Sequence, residues 1–325
     1  MGAVIVGTGI GLPDRVVTNE SLEAHLGIPE GGILRRTGIR ERRWVQGSEA
    51  SSDLAATAAR AALAAAGRQA SDLDLILVST TSGDMGFAST ACLLQRELKA
   101  GKCAAFDLAA SCTGFLYGLS IAQVFLHTGQ ARTVLLAASE VKSRFIDHDD
   151  PAAAILFGDG AGAVVLTAGP PDRGVLDISV AADGRRWPLI HLPAGGSREP
   201  TTADTVAARR HTMHIDGSAI FREAVRNMER AVRELLAARG LQPEQIDHFV
   251  FHQANARILA QVRRRLGIPA AKTPVTLTHY GNTSSSALPI ALHHAVVEGR
   301  IRDGQLVVLA AFGGGLTWGT ALIRW

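Results

Sequence analysis

Three side chains suited to acyl chemistry lie far apart in the chain: the thiol of Cys112, the imidazole of His252 and the carboxamide of Asn282. Cys112 lies between residues 104–108, which predict the end of a strand, and residues 113–127, whose apolar character predicts a buried helix. The positive end of a helix dipole favours a thiolate at this place. Cys112 is therefore either a nucleophile or an inert packed thiol, and its own segment supports both interpretations equally.

His252 and Asn282 occupy comparable places in the second half of the chain. His252 follows the apolar residues 250–251 and precedes a predicted helix near residues 254–266, and Asn282 precedes an apolar helix predicted at residues 284–297. Catalytic groups of open α/β sheets gather at such junctions between strand and helix. A lone His or Asn at a helix start is more often a structural residue or a cap. The prediction of an active site therefore depends on finding all three groups together.

The predicted elements follow one scheme twice. Each half alternates helices and strands, and each has one unusually apolar helix preceded by small polar residues, at 111–113 and at 282–284. This pattern predicts an α/β fold built from a duplicated unit with two buried central helices. The weakest seam is at residues 168–174, which divides the chain into halves 1–170 and 171–325. The remaining predicted strands are at 3–7, 73–79, 103–108, 134–139, 306–312 and 320–323, and residues 158–166 are predicted as a Gly-rich turn that leads into a buried strand. Helices are predicted at 53–66 and 218–239, and an irregular active-site or surface loop at 184–208.

Composition excludes several classes of function. The chain has 325 residues, of which 47% are hydrophobic, so it can bury a large core. A net charge of +3 is too small to imply a nucleic-acid partner, and no apolar stretch is long enough to span a bilayer. Its three cysteines, Cys92, Cys103 and Cys112, fit no zinc or iron–sulfur spacing, and reduced thiols are typical of the cytoplasm. We expect a soluble cytoplasmic protein with neither a nucleic-acid nor a membrane partner.

Five motifs taken together resemble β-ketoacyl-acyl-carrier-protein synthase III, a condensing enzyme of the thiolase superfamily. In chain order they are residues 107–119, 157–166, 252–257, 280–289 and 312–319. The likeness covers the whole chain. It implies a thiolase-like α/β fold, with duplicated βαβαβαββ halves in α-β-α-β-α layers. It also implies a homodimer that needs no metal or redox cofactor and that works with an acyl thioester and acyl carrier protein.

The resemblance assigns a role to each group of the site. Cys112 would take an acyl group from a thioester, and the backbone N–H groups of Cys112 and Gly314 would hold its carbonyl oxygen. His252 and Asn282 would act on malonyl-acyl carrier protein in a decarboxylative Claisen condensation. Loss of CO2 leaves an enolate whose oxygen needs neutral donors, which an Asn provides, whereas an Asp would charge the His as a base. The alternative is a non-decarboxylating acyltransferase of the same fold.

The resemblance also implies substrate contacts and a docking surface. Phe87 matches a position that, in relatives, comes from the partner subunit and limits acyl length. The substrate-binding positions are Arg36, Phe87, Gly217, Phe221, Asn255 and Arg257. The positions that would dock the acidic carrier protein, together with Arg257, are Arg222, Arg264 and Arg265.

Two positions depart from the family pattern. Gly32 stands where the family has a Trp that stacks on the adenine of coenzyme A, and Pro151 stands where it has an Arg near the nucleotide. Arg36 is kept. Loss of a stacking ring and of a phosphate partner predicts weak binding of free coenzyme A. We therefore expect a primer delivered on a carrier protein, or an unusual acyl-CoA, as in specialised polyketide-type pathways.

Three other functions fit the sequence less well. Residues 7–11 mimic a dinucleotide-binding loop, but their spacing is G-x-G-x-G and Pro13 follows before a helix can start. A biosynthetic thiolase needs a second reactive Cys near the C-terminus, where this chain has none. A non-catalytic partner subunit of a condensing complex would lack a Cys, His or Asn that this chain retains.

Overall fold

The computed structural model describes residues 2–325 and contains every strand and helix that the sequence predicts, with bounds shifted by a few residues. The strands of these residues are β1 Gly2–Gly11, β2 Val16–Thr18, β3 Glu41–Arg43, β4 Leu75–Ser79, β5 Ala104–Leu108, β6 Thr133–Glu140, β7 Gly160–Gly169, β8 Gly174–Ala182, β9 Ile190–His191, β10 His214–Ile215, β11 His248–Phe251, β12 Leu306–Gly313 and β13 Thr317–Arg324. The α-helices are α1 Asn19–Leu26, α2 Gly32–Thr37, α3 Ser51–Ala65, α4 Thr90–Leu98, α5 Gly114–His127, α6 Pro151–Ala154, α7 Ala203–Ala207, α8 Gly217–Ala238, α9 Ala256–Leu266, α10 Leu277–Tyr280 and α11 Ala287–Val297.

Two sheets form the framework. The first has the order β1-β7-β6-β4-β5, in which β4 runs parallel to β5 and β6 while β7 runs antiparallel to β1 and β6. The second has the order β11-β12-β13-β8, with a parallel β11–β12 pair. Strands from residues 2–169 build the first sheet and strands from residues 174–324 build the second.

The sheets and helices are stacked in five layers. Helices α5 and α11 lie between the two sheets and share one core with both, which includes Phe115, Leu119, Leu288, Leu136 and Leu309. Helices α3 and α4 cover the outer face of the first sheet, and α8 and α9 cover the outer face of the second. This is the predicted α-β-α-β-α arrangement. The two halves share this central core. The predicted division of the chain into domains 1–170 and 171–325 therefore stays a prediction.

The second half has one strand fewer than the βαβαβαββ scheme predicts. The first half follows that scheme through β1, β4, β5, β6 and β7, whereas in the second half no strand lies between α9 and α11 among the described residues. Pro269 and Pro274 stand in that segment. Proline has no N–H to donate to a sheet, so this stretch runs beside the sheet as an irregular connection.

The glycines that mimic a nucleotide loop are packing positions inside β1. A Cβ on Gly7, Gly9 or Gly11 would come within 2.2–2.3 Å of a carbonyl oxygen of α3. The three oxygens belong to residues one helical turn apart, Ala62, Ala58 and Leu54. Helix α3 therefore lies directly on the backbone of β1, and no nucleotide loop forms there.

Among residues 2–325, no helix combines the length and the apolar character that crossing a lipid bilayer requires.

Candidate active site

Cys112 lies in a tight turn between β5 and α5. The residues Ser111–Thr113 form a single 3-10 turn, and Ser111 has a left-handed backbone with φ of 50°. Thr113 Oγ1 donates a hydrogen bond to the Ala110 carbonyl at 2.6 Å, which closes the turn. A non-glycine residue in this conformation is strained, and such strain gathers at functional sites. The turn thus holds the thiol at the N-terminus of the buried helix α5.

The second half contains the same turn. Ser284–Ser286 form a 3-10 turn directly before α11, and Ser284 has φ of 56°. The tips of the two turns meet, because Ser284 Oγ lies 3.5 Å from Cys112 Sγ. Duplication therefore places a hydroxyl of the second half beside the thiol of the first.

Asn282 is fixed by the segment around Phe157. Its N–H donates to the Leu156 carbonyl at 2.8 Å, and its own carbonyl accepts from the Gly158 N–H at 3.1 Å. Its side-chain Oδ1 accepts from the Ser284 N–H at 2.9 Å. The oxygen of the amide is therefore occupied, and its NH2 group makes no hydrogen bond within residues 2–325. Asn282 is oriented as a donor.

The glycine before Asn282 makes this contact possible. Gly281 has φ of 66°, and a Cβ there would lie 2.7 Å from the Leu156 carbonyl oxygen. Only glycine combines that left-handed backbone with so close an approach.

His252 follows β11 and is buried at 3% exposure. Its backbone N–H donates to the Ala310 carbonyl at 2.9 Å, which continues the pairing of β11 with β12. Burial lowers the pKa of its imidazole to about 4, because the charged form loses its hydration. His252 is therefore neutral at neutral pH, and Nδ1 has no hydrogen-bond partner among the described residues.

One cavity brings the three groups together. Cys112, His252, Asn282 and Gly314 all line a space of about 170 Å³ whose other walls are mainly apolar. A larger open groove, of about 750 Å³, lies elsewhere and is lined by none of them. The chemistry-bearing side chains, and not volume, identify the smaller cavity as the candidate active site.

A second cavity begins at the same thiol. It has a volume of about 230 Å³ and shares Cys112, Phe157, Ile190 and Gly314 with the first. The predicted irregular loop at 184–208 supplies part of its wall through β9 and Leu192. Cys112 therefore lies where the two cavities meet. His252 and Asn282 line the first cavity but not the second.

Burial opposes the thiolate form that is expected of Cys112. The side chain is 6% exposed, and burial raises the pKa of its thiol above the ordinary value. The hydrogen bond with Ser284 and the charge of Lys142 act in the opposite direction but are weaker. Position at a helix start favours a thiolate, whereas burial acts in the opposite direction and favours the thiol.

Glu140 and Lys142 belong to the site and were missed in the sequence. Lys142 Nζ lies 3.0 Å from Glu140 Oε2, and both side chains are buried. Glu140 Oε1 accepts from Ser284 Oγ at 3.2 Å, so the pair reaches Cys112 through one hydroxyl. The sequence shows only that Glu140 and Lys142 follow the apolar strand predicted at 134–139, and such a charged pair normally lies in solvent.

The predicted substrate contacts other than Phe87 lie at or near the first cavity. Gly217, Phe221 and Asn255 line it. The guanidinium of Arg257 lies 5.8 Å from the centre of the Phe221 ring. Asn255 Nδ2 donates to the Arg36 carbonyl at 3.4 Å, which places α2 beside the start of α9.

The predicted docking arginines are all exposed. Arg222 lies on α8, and Arg264 and Arg265 lie at the end of α9, which packs against α8. Arg265 is tied to Glu229 at 3.0 Å. The two helices therefore present guanidinium groups near one another.

The other singled-out positions lie at or near the surface. Phe87 is 89% exposed and lies outside both cavities of its own chain. Gly32 begins α2 and is buried against Ile28, with 2.6 Å between its would-be Cβ and Ile28 Cγ2. Pro151 is exposed and begins α6.

Comparison with known proteins decides the family. The profile described as 3-oxoacyl-[acyl-carrier-protein (ACP)] synthase III matches residues 106–184, and the profile described as its C terminal matches residues 236–325. A β-ketoacyl-[acyl-carrier-protein] synthase III of Natranaerobius thermophilus is 43% identical over 326 residues, covering 99% of each chain. The chain belongs to the 3-oxoacyl-acyl-carrier-protein synthase III family.

Solved structures of synthase III proteins match the chain from end to end. The enzyme of Aquifex aeolicus VF5 superposes with a TM-score of 0.92 at 40% identity, covering 100% of both chains. The priming β-ketosynthase from the R1128 polyketide biosynthetic pathway superposes with a TM-score of 0.91 at 32% identity, covering 99% of this chain and 96% of the other. The fold is therefore the thiolase fold, and the protein is an acyl-transferring condensing enzyme of the synthase III family.

Proposed function

We propose that the protein transfers a primer acyl group to Cys112 and condenses it with malonyl-acyl carrier protein, with loss of CO2. The observation that carries this proposal is the pair of neutral donors beside the thiol. His252 is uncharged because it is buried, and the hydrogen bond from the Ser284 N–H to Asn282 Oδ1 leaves the amide NH2 free. Two such groups suit an oxygen on which negative charge develops.

The first half-reaction is acyl transfer. The sulfur of Cys112 bonds to the thioester carbonyl carbon, the bond from that carbon to the donor sulfur breaks, and the thiol proton goes to the departing thiolate. Because burial raises the pKa of Cys112, the proton has to leave during the attack. The backbone N–H groups of Cys112 and Gly314 stabilise the oxyanion that forms.

The second half-reaction is decarboxylative condensation. The bond between the malonyl methylene carbon and its carboxylate breaks, CO2 leaves, and the electron pair forms an enolate held by His252 and Asn282. That carbon then attacks the acyl carbonyl on Cys112 and displaces the cysteine thiolate, which takes up a proton. The product is a β-ketoacyl thioester on the carrier protein.

A non-decarboxylating acyltransferase is the weaker alternative. Such chemistry needs a base that is charged and oriented by a carboxylate, as in a Cys–His–Asp arrangement. Here Asn282 is an amide oriented to donate, and desolvation alone dominates the pKa of His252. Neutral donors stabilise an enolate but do not strengthen a base.

A primer from a specialised pathway is supported by two departures and one relative. Gly32 and Pro151 offer neither an aromatic face nor a cation to free coenzyme A. Among the solved structures, one similar protein is described as a priming β-ketosynthase of a polyketide pathway. We therefore infer delivery of the primer on a carrier protein, or as an unusual acyl-CoA.

A homodimer is supported by an open sheet edge. β5 is the last strand of the first sheet, and Phe106 on it is 36% exposed. An unprotected apolar edge is a template for pairing with a second copy, and twofold symmetry would pair β5 with itself. Phe87 precedes the neighbouring helix α4 and would then face the partner subunit.

We also propose that the reaction uses no metal or redox cofactor, that the carrier protein docks on α8 and α9, and that the protein is cytoplasmic. The thiol, imidazole and amide supply the bonds and protons of both half-reactions, so no metal or redox cofactor is invoked. The exposed arginines of α8 and α9 offer positive charge to an acidic carrier protein. All three cysteines are free, which suits the reducing cytoplasm.

The test combines intact mass with product analysis. The protein is exposed to a panel of acyl-CoA and acyl-carrier thioesters, and then to malonyl-acyl carrier protein. We expect an acyl adduct that is lost in Cys112→Ala, followed by release of CO2 and a β-ketoacyl product. An adduct that is handed to another acceptor without CO2 release would refute the condensing function and support the acyltransferase.

A further inference from the structure

The cavity on the side of Cys112 away from His252 has a lysine in its wall. The polar residues that line the volume of about 230 Å³ are Lys142, Thr81, Ser111, Ser284 and His191, and its apolar lining is formed mainly by Phe145, Phe157, Ile190, Leu192 and Met213. A space of about 230 Å³ next to the thiol admits a short acyl group. An acyl chain on Cys112 that enters this cavity meets the ammonium.

The ammonium of Lys142 is buried and has one N–H to spare. Its side chain is 8% exposed, and its hydrogen bonds go to Glu140 Oε2 and to Thr81 Oγ1. An ammonium has three N–H groups, and the third has no acceptor within residues 2–325. Water can satisfy that N–H while the cavity is empty, but an acyl chain filling the cavity removes it.

Glu140 does not need that third N–H. Its carboxylate accepts from the Ser82 hydroxyl at 2.5 Å, the Ser285 hydroxyl at 3.0 Å and the Ser284 hydroxyl at 3.2 Å. The Thr81 N–H donates to it at 3.2 Å. The two carboxylate oxygens are thus filled by neutral donors and by one bond from Lys142. The lysine remains free to recognise a ligand.

These contacts discriminate between kinds of primer. A plain alkyl chain would strip water from the third N–H and offer nothing in return, whereas an oxygen on the chain would replace the lost hydrogen bond. A second carboxylate would lie close to the charge of Glu140, so an uncharged hydroxyl or oxo group fits better than an acid.

Resting on the proposed function, we infer that the enzyme selects a short primer bearing an uncharged oxygen, a hydroxyl or a keto group, which Lys142 hydrogen-bonds. Lys142 is a specificity-determining residue of the acylation half-reaction. The bond that forms is still the Cys112 thioester, and the donor thiol leaves as before. The oxygen of the primer stays intact and only accepts a hydrogen bond.

The test compares primers of equal length on the same carrier. Rates of Cys112 acylation are measured by intact mass with butyryl, 3-hydroxybutyryl, 3-oxobutyryl and 4-hydroxybutyryl thioesters. For the wild-type protein we expect kcat/KM for at least one oxygenated primer to exceed that for butyryl about tenfold, which equals about 1.4 kcal/mol. Lys142→Met should bring that ratio to about one and raise butyryl loading.

Controls separate recognition from damage to the fold. The double variant Glu140→Gln/Lys142→Met, which leaves no unpaired buried charge, should show the same loss of preference. Lys102→Met removes an exposed lysine outside the cavity and should keep the wild-type ratio. Because the readout is a ratio between two primers, a general loss of stability lowers both rates and leaves it unchanged.

The possible results are distinct. A preference for butyryl over all three oxygenated primers, or a ratio that survives Lys142→Met, overturns the inference while acylation and condensation stand. Absence of any adduct on Cys112, with every primer tried, overturns the proposed function and the inference with it.

Discussion

Replacing Asn282 by Asp isolates its role as a donor. The substitution keeps the size of the side chain, and the new carboxylate can still accept from the Ser284 N–H, as Oδ1 of Asn282 does at 2.9 Å. The turn that leads into α11 should therefore keep its shape. What changes is the other end of the group, where an NH2 donor becomes an oxygen acceptor.

The expected loss follows from the number of donors. We assign two donors, His252 and Asn282, to the enolate oxygen, and removing one preorganised donor of this kind lowers the rate about a hundredfold to a thousandfold, or about 2.7–4 kcal/mol. A carboxylate in a site that is 6% exposed adds repulsion toward the enolate. The acylation of Cys112 uses the backbone N–H groups and should change less than about threefold.

Both half-reactions are measured on one preparation. CO2 release from malonyl-acyl carrier protein reports decarboxylation, and intact mass reports loading of Cys112, near pH 8 so that the new carboxylate is ionised. Asn282→Ala separates loss of the donor from the added charge and should be impaired, though less than Asn282→Asp. Wild-type CO2 release by Asn282→Asp would refute the donor assignment, and a parallel fall in loading would show a disturbed turn instead.

Three further results are expected. A Cβ on Gly313 would lie 2.7 Å from the Cys112 nitrogen, so Gly313→Ala should slow acylation of Cys112 on the order of a hundredfold. A Cβ on Gly184 would have no atom within 4 Å, so Gly184→Ala should acylate at the wild-type rate. Equal acylation rates for the two variants would contradict the contact at Gly313. Since burial lowers the pKa of His252 to about 4, the rate of CO2 release should vary less than about twofold between about pH 7.5 and 5.5, whereas an imidazole of ordinary pKa would lose about tenfold; an inflection near pH 6.5 would show a solvated ring. The unfolded chain binds that proton more readily than the folded protein, so His252 lowers the free energy of unfolding as the pH falls from about 6.5 toward 4. Arg222→Glu should raise KM for malonyl-acyl carrier protein several-fold with kcat unchanged and lose that effect at high salt, whereas Arg68→Glu on another exposed surface should leave KM as it was.

Most of the main strands and helices could be predicted because apolar periodicity marks them directly, whereas β8 and α4 were not predicted. The two apolar helices, each preceded by small polar residues, indicated the central layer formed by α5 and α11. The absent strand between α9 and α11 was not foreseen, since the scheme assumed two equal halves and gave no weight to Pro269 and Pro274.

The site was only partly predictable from the sequence. Cys112, His252 and Asn282 were found because their residue types are chemically distinctive at helix starts. Glu140 and Lys142 were not, since a charged pair after a strand normally lies in solvent. These two side chains are buried because turns from both halves pack around them, and no local sequence pattern predicts that packing. The raised pKa of Cys112 has the same origin, because local sequence shows the helix dipole but not the dryness around the thiol.

The meeting of the two turns constrains which residues the duplicated half can carry. Ser284 Oγ lies 3.5 Å from the nucleophilic sulfur, and Ser111 and Ser284 share the same left-handed backbone. A cysteine at position 284 would bring a second sulfur within reach of the first, and oxidation would lock both into a cross-link with no nucleophile left. A hydroxyl instead of a second thiol at position 284 is thus a condition for keeping Cys112 reactive in this architecture.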